Sequence, residues 1–105
     1  MGRTEDRGLT DLDRLIALLD ECRALAEKKN KDYGRDNDPF ANVKASVEFG
    51  VAPWVGAMIR LNDKVRRLQA LANGSELANE GARDSFMDIA VYSLIACVLY
   101  EDHVK

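Results

Sequence analysis

The sequence predicts an all-α fold, and three observations carry that prediction. Apolar residues recur at spacings of three and four along most of the chain, the repeat of a helix face. Gly, Pro, Asn and Asp gather at a few points between those stretches and punctuate them. No segment shows the period-two alternation of a half-buried strand, and there is no internal repeat or low-complexity tract. The expected architecture is a single-domain bundle of about four helices, three of them long, with residues 1–8 a flexible N-terminus and 9–105 the domain.

The first helix is predicted from about Thr10 to Lys29. Thr10 followed three residues later by Asp13 has the form of a capping pair, with Asp in place of the usual Glu. Leu12, Leu15, Ile16, Leu19 and Cys22 form a helical stripe that Leu25 and Ala26 continue. From Asn30 to Phe40 the pattern breaks into Lys31-Asp32-Tyr33-Gly34-Arg35-Asp36-Asn37-Asp38-Pro39, a loop by composition. It is either a functional loop, given its charge, ring and glycine, or a surface connection capped by Asp38 with Pro39 at the first helical position.

Phe40 to Phe49 is expected as a short helix that Gly50 ends, and Pro53 suits the first turn of the next. Trp54, Met58, Leu61, Val65, Leu68 and Ala72 make a packed seam, and Asn73-Gly74 is a C-terminal stop. The other side of that helix carries Gly56, Ile59, Arg60, Asp63 and Arg67. The last helix is expected from about Asn79 to Asp102. Its run from Ile89 to Leu99 is nearly all apolar, so it should be buried and should drive self-association into a homo-oligomer.

Composition narrows the function. The chain has 15 basic and 18 acidic residues, a net charge of −3, which disfavours generic duplex nucleic acid as a partner. The longest apolar run falls well short of the ~20 residues that cross a bilayer, so no membrane is expected. No basic-then-apolar leader opens the sequence, and a cytoplasmic protein is expected, in the host cytoplasm if phage-encoded. Cys22 and Cys97 read as buried, reduced thiols. With His103 the only histidine, no Ser-His-Asp or Cys-His set suggests itself, and there is no Walker or dinucleotide fingerprint.

The chemistry-bearing pattern is a column. Glu80, Asp84, Asp88 and Tyr92 recur every four residues and share one helix face. Three carboxylates leading into an apolar segment call for a cation among them. Mg²⁺, which takes oxygen ligands, is one solution, and Asp63 is the natural ligand from a second helix, with Glu48 a weaker one. An ion-pair network with Arg60, Lys64 and Arg67, or a solvated acidic face, is the alternative. Those three cations lie on one face, and Arg60 is one turn from Asp63, an arrangement suited to phosphate oxygens. Lys28, Lys29, Lys31 and Arg35 are a further cationic group, Tyr33 is the best ring for stacking on a base, and Phe40 and Trp54 suit core packing.

Several of these residues also carry a resemblance. Lys31-Asp32-Tyr33-Gly34, Asp38-Pro39-Phe40 with Asn42, Arg60-Leu61-Asn62-Asp63-Lys64 with Arg67-Leu68, and Asp84-Ser85-Phe86-Met87-Asp88 with Tyr92 resemble the nucleotide modification associated domain of bacteriophages. That domain is similar to the MazG-like, all-α nucleoside triphosphate pyrophosphohydrolases. The resemblance implies an oligomeric helical bundle that cleaves a nucleoside triphosphate to monophosphate and pyrophosphate with Mg²⁺. It implies Asp63, Asp84 and Asp88 as metal ligands and Glu80 as the catalytic residue, holding a metal or orienting water. Lys31, Asp32, Tyr33, Asn42, Arg60, Lys64, Arg67 and Tyr92 would bind substrate. The sequence departs from the superfamily pattern at Arg60 and Ser85, where acids are expected three residues before Asp63 and Asp88. A module that binds a nucleotide or signalling nucleotide without cleaving it is the second expectation. A structural helical interaction protein, with its acidic column salt-bridged, is the third.

Overall fold

The structure, a computed structural model, describes residues 8–32, 40–76 and 81–105. Among the described residues every regular element is helical, with no strand. Three long helices, α1 (Asp11–Asp32), α3 (Pro53–Ala72) and α4 (Ala82–His103), are joined by one short turn, α2 (Ala41–Lys44). None of the described helices is long and apolar enough to cross a membrane.

The capping pair forms as the sequence suggests. Asp13 N–H donates to Thr10 Oγ1 at 3.0 Å, and Thr10 N–H donates to Asp13 Oδ2 at 3.0 Å. Two backbone donors that the helix itself cannot satisfy are thereby paired. α1 runs on to Asp32, beyond the expected end at Lys29. The remaining loop residues, Tyr33 to Pro39, lie outside the described residues, as do residues 1–7.

The segment expected as one short helix is instead two pieces. α2 gives way to a 3-10 turn over Ala45–Phe49, which Gly50 closes at φ +75°. Ser46 accounts for the tightening. Its hydroxyl donates to the carbonyls of Val51 and Ala52, at 2.9 and 3.4 Å, and folds the turn back onto the start of α3. Gly56 makes room for this: a Cβ there would lie 2.6 Å from Ser46 Oγ and 2.8 Å from the Val43 carbonyl oxygen. The close approach that Gly56 permits is therefore to the α2 segment.

α3 opens on Pro53 and stops at Ala72, with Gly74 at φ +97° just beyond it. α4 returns antiparallel to α3. The register is set by three cross-helix pairs: Trp54 with Tyr100, Arg60 with Tyr92, and Lys64 with Asp88. The Trp54 and Tyr100 rings meet edge to face with centroids 5.4 Å apart.

The core gathers around α4. Val91, Ile95, Ala96 and Leu99 pack with Ala57 of α3, Val43 of α2 and Cys22 of α1. Each large apolar side chain fully buried there contributes about 1.5–3 kcal/mol. The seam expected on α3 is only partly buried. Trp54, Leu61, Val65 and Leu68 are half-buried, whereas Met58 is 43% exposed and Gly56 and Ala57 sit deepest. A further correction concerns the thiols. Cys22 is buried with its Sγ 3.8 Å from Met87 Sδ, but Cys97 is exposed, because α4 turns that side away from α1 and α3.

α1 is held less closely than the other long helices. It meets α4 around Cys22 and Met87, while its first half carries Leu12, Leu15, Ile16 and Leu19 in the open. The molecule is accordingly elongated, 52 × 30 × 28 Å, with a radius of gyration of 16.3 Å. A compact domain of this length has a radius of gyration of about 13 Å.

Candidate functional site

Antiparallel packing of α3 on α4 sets the cationic face of one helix against the acidic column of the other. Lys64 Nζ lies 3.2 Å from Asp88 Oδ2, and both side chains are mostly buried, at 22% and 17% exposure. One turn along, the Arg60 guanidinium lies over the Tyr92 ring, with Cζ 5.8 Å from the centroid, and Nη2 donates to Tyr92 Oη at 3.5 Å. Both contacts are near their outer limits. Arg67 continues the same face and is half-buried. Lys64 and Arg60, one turn apart on α3, thus meet Asp88 and Tyr92, one turn apart on α4.

The other side of the column opens on a cleft of about 590 Å³ between α1 and α4. Glu21, Ala24 and Leu25 form one wall, and Arg83, Asp84, Met87 and Asp88 the other. Arg83 and Glu21 close its rim with a two-pronged pair, Nη1 to Oε1 at 2.9 Å and Nη2 to Oε2 at 2.8 Å. The Arg83 hydrogen bonds hold the Glu21 carboxyl below its ordinary range, against a smaller opposing effect of desolvation. Glu21 in turn raises the Arg83 guanidinium, and Asp84 adds to this. Asp88 belongs to both features: it borders the cleft and pairs with Lys64 across α3.

The residues expected at the site therefore divide. Asp84 and Asp88 share the cleft, Lys64 reaches Asp88, and Arg60 reaches Tyr92. Asp63 is exposed on α3 and is not among the cleft residues. It follows Lys64 backward by one position, about 100° round the helix, so the turn that aims Lys64 at Asp88 carries Asp63 aside. Ser85 is fully buried. At that position a carboxylate would enter the packed interior and not the cleft. Glu80 and Tyr33 lie outside the described residues, and so do the side chains of Lys31, Asp32 and Asn42, whose backbones belong to α1 and α2.

Among the described residues no group of three or more His, Cys, Asp or Glu side chains is placed to hold a metal ion. Asp84 and Asp88 match the one or two carboxylates that Mg²⁺ ordinarily takes beside waters and phosphate oxygens, but Asp88 already has an ammonium beside it. What the arrangement offers is a cleft with carboxylates and one arginine on its walls. That is a surface able to orient a polar ligand bearing both anionic and donor groups.

Two members of this site, Glu21 and Arg83, were not among the residues that the sequence nominated. Arg83 stood next to Asp84 in the column, and Glu21 on the polar flank of the α1 stripe. Neither position signals a pairing across 62 residues, which only the docking of α1 on α4 creates. No family model, curated protein or solved structure matches the chain.

Proposed function

We propose that this chain is a nucleotide-handling protein that binds a nucleotide or nucleoside triphosphate at the α1–α4 cleft. The supporting observation is Asp88, which pairs with Lys64 on one side and borders a cleft of about 590 Å³ on the other. The volume suits a ligand of nucleotide size. Arg83, on the cleft wall, supplies charge for phosphate oxygens, Asp84 accepts from sugar hydroxyls or a base amine, and Leu25 and Met87 offer apolar surface to a ring. The motif resemblance to phage nucleotide modification associated domains points to the same ligand class. Binding without cleavage is the reading we adopt, because the Lys64 ammonium already sits against Asp88, one of the two cleft carboxylates that a metal would use.

A second reading, a Mg²⁺-dependent pyrophosphohydrolase, has one specific support: Asp84 and Asp88 share the wall of a single cleft. Waters and the phosphate oxygens of the substrate would complete the coordination that those two carboxylates begin. Thermal unfolding with a panel of nucleoside mono-, di- and triphosphates, with and without Mg²⁺, separates the readings. Ligand at about 100 times its Kd adds about 2.7 kcal/mol of stability. Stabilisation that is indifferent to Mg²⁺, with no pyrophosphate released, is the expected result. Pyrophosphate release that is lost in Asp84→Ala would establish the enzyme instead. No stabilisation by any nucleotide would leave a structural helical protein.

A further inference from the structure

We infer that the exposed stripe of α1 is the contact surface of a two-fold homodimer, in which the first half of α1 from each copy lies against the α1–α4 groove of the other. The stripe has the spacing of a packed seam, yet Leu12, Leu15, Ile16 and Leu19 are 62%, 53%, 48% and 53% exposed. It continues onto α4 through Leu94 and Val98, exposed by 61% and 45%, which line a groove of about 290 Å³ with Leu19. A protruding apolar ridge and an apolar groove on the same chain are the two halves of a self-complementary contact. A two-fold axis makes both contacts at once and closes the assembly.

Area favours a second copy. The six side chains leave on the order of 600 Å² of surface, at the top of the range of the largest apolar patch on a typical monomer. Two such patches facing one another remove on the order of 1,200 Å² from water, which reaches the range of stable specific interfaces. Charge argues against an anionic membrane as the occupant. The polar side of α1 over residues 11–28 holds Asp11, Asp13, Asp20, Glu21 and Glu27 against Arg14, Arg23 and Lys28, whereas helices that lie on such surfaces are rich in Lys and Arg. The apolar final helix suggested self-association from the sequence. The structure moves the contact chiefly to α1, because α3 covers much of α4.

The test is sedimentation velocity of the full chain over about 1–100 µM, in the range where specific protein contacts assemble. The expected result is a species of twice the protomer mass of 11.7 kDa. Leu15→Asp and Leu94→Asp should each weaken the dimer at least about tenfold. Val47→Asp, at a side chain 59% exposed on the 3-10 turn, should not. Should Leu15→Asp fail to fold, Leu15→Ala reads the same contact as a smaller rise in the dissociation constant. A monomer throughout, a dimer indifferent to Leu15 and Leu94, or a monomer that co-sediments with phosphatidylserine vesicles would overturn the inference. It stands apart from the nucleotide proposal, and either survives the failure of the other.

Discussion

Lys64 of α3 and Asp88 of α4 meet at 3.2 Å where the two helices pack, and Asp88 at the same time borders the cleft shared with α1. One carboxylate therefore serves both the α3–α4 hairpin and the candidate site. At 22% and 17% exposure the pair is neither a free surface ion pair nor a fully desolvated one, and its worth falls between those limits.

Removing one partner should accordingly cost stability. Lys64→Met is expected to lose about 1–3 kcal/mol in urea unfolding, because it takes the ammonium away from a mostly buried carboxylate. Asp88→Asn should cost a similar amount. The double variant should be less destabilised than the sum of the two, and simple additivity would show that the pair is not coupled.

The Glu21–Arg83 pair predicts a pH dependence of known sign. Arg83 holds the Glu21 carboxyl below its ordinary value of 4.5, so the pair contributes fully above that value. The contribution fades as pH falls through the lowered value of the folded state. The docking of α1 on α4 should loosen in that window below 4.5, and Glu21→Gln should remove that component of the pH dependence. A carboxyl NMR titration gives the direct check. In Arg83→Gln the Glu21 midpoint should move up toward its ordinary value, and an unchanged midpoint would contradict the pairing.

Gly56→Ala sets two effects against each other. Replacing glycine inside a helix ordinarily gains about 0.8–1 kcal/mol. Here the new Cβ would meet Ser46 Oγ at 2.6 Å and the Val43 carbonyl oxygen at 2.8 Å. The second contact is with backbone, which gives way less easily, so a net loss of about 1–3 kcal/mol is expected in thermal or urea melts. Adding Ser46→Ala should recover only part of it, since the Val43 carbonyl remains.

The two cysteines should differ in reactivity. Cys97 is exposed and Cys22 is buried against Met87. A thiol reagent should titrate one group promptly in the native protein and the second only on unfolding. Prompt reaction of both would mean that α1 is not docked at Cys22.

Local signals were legible in the sequence, and long-range ones were not. Thr10 with Asp13, Pro53, Gly50 and Asn73-Gly74 act within a few residues of themselves, and each marks the expected boundary. The 3-10 turn escaped because Ser46 acts on Val51 and Ala52 through a fold-back that periodicity does not encode. The α1 stripe was legible as a face in need of cover, but its spacing is silent on which surface covers it. The column on α4 and the cations on α3 were both visible, and an ion-pair network was one of the alternatives left open. Antiparallel register decided that Lys64, not Asp63, would reach Asp88. Glu21 with Arg83 depends on how two distant helices dock, which no local pattern reports.

We propose that a nucleotide occupies the cleft around Asp88. An amide NMR titration of the full chain with nucleoside triphosphates, with and without Mg²⁺, tests it most directly. Saturable shifts concentrated at Arg83, Asp84, Met87 and Asp88 are expected, with weaker ones at Glu21 and Leu25. Absence of shifts at millimolar nucleotide, or shifts confined to the α2–α3 end of the molecule, would contradict it.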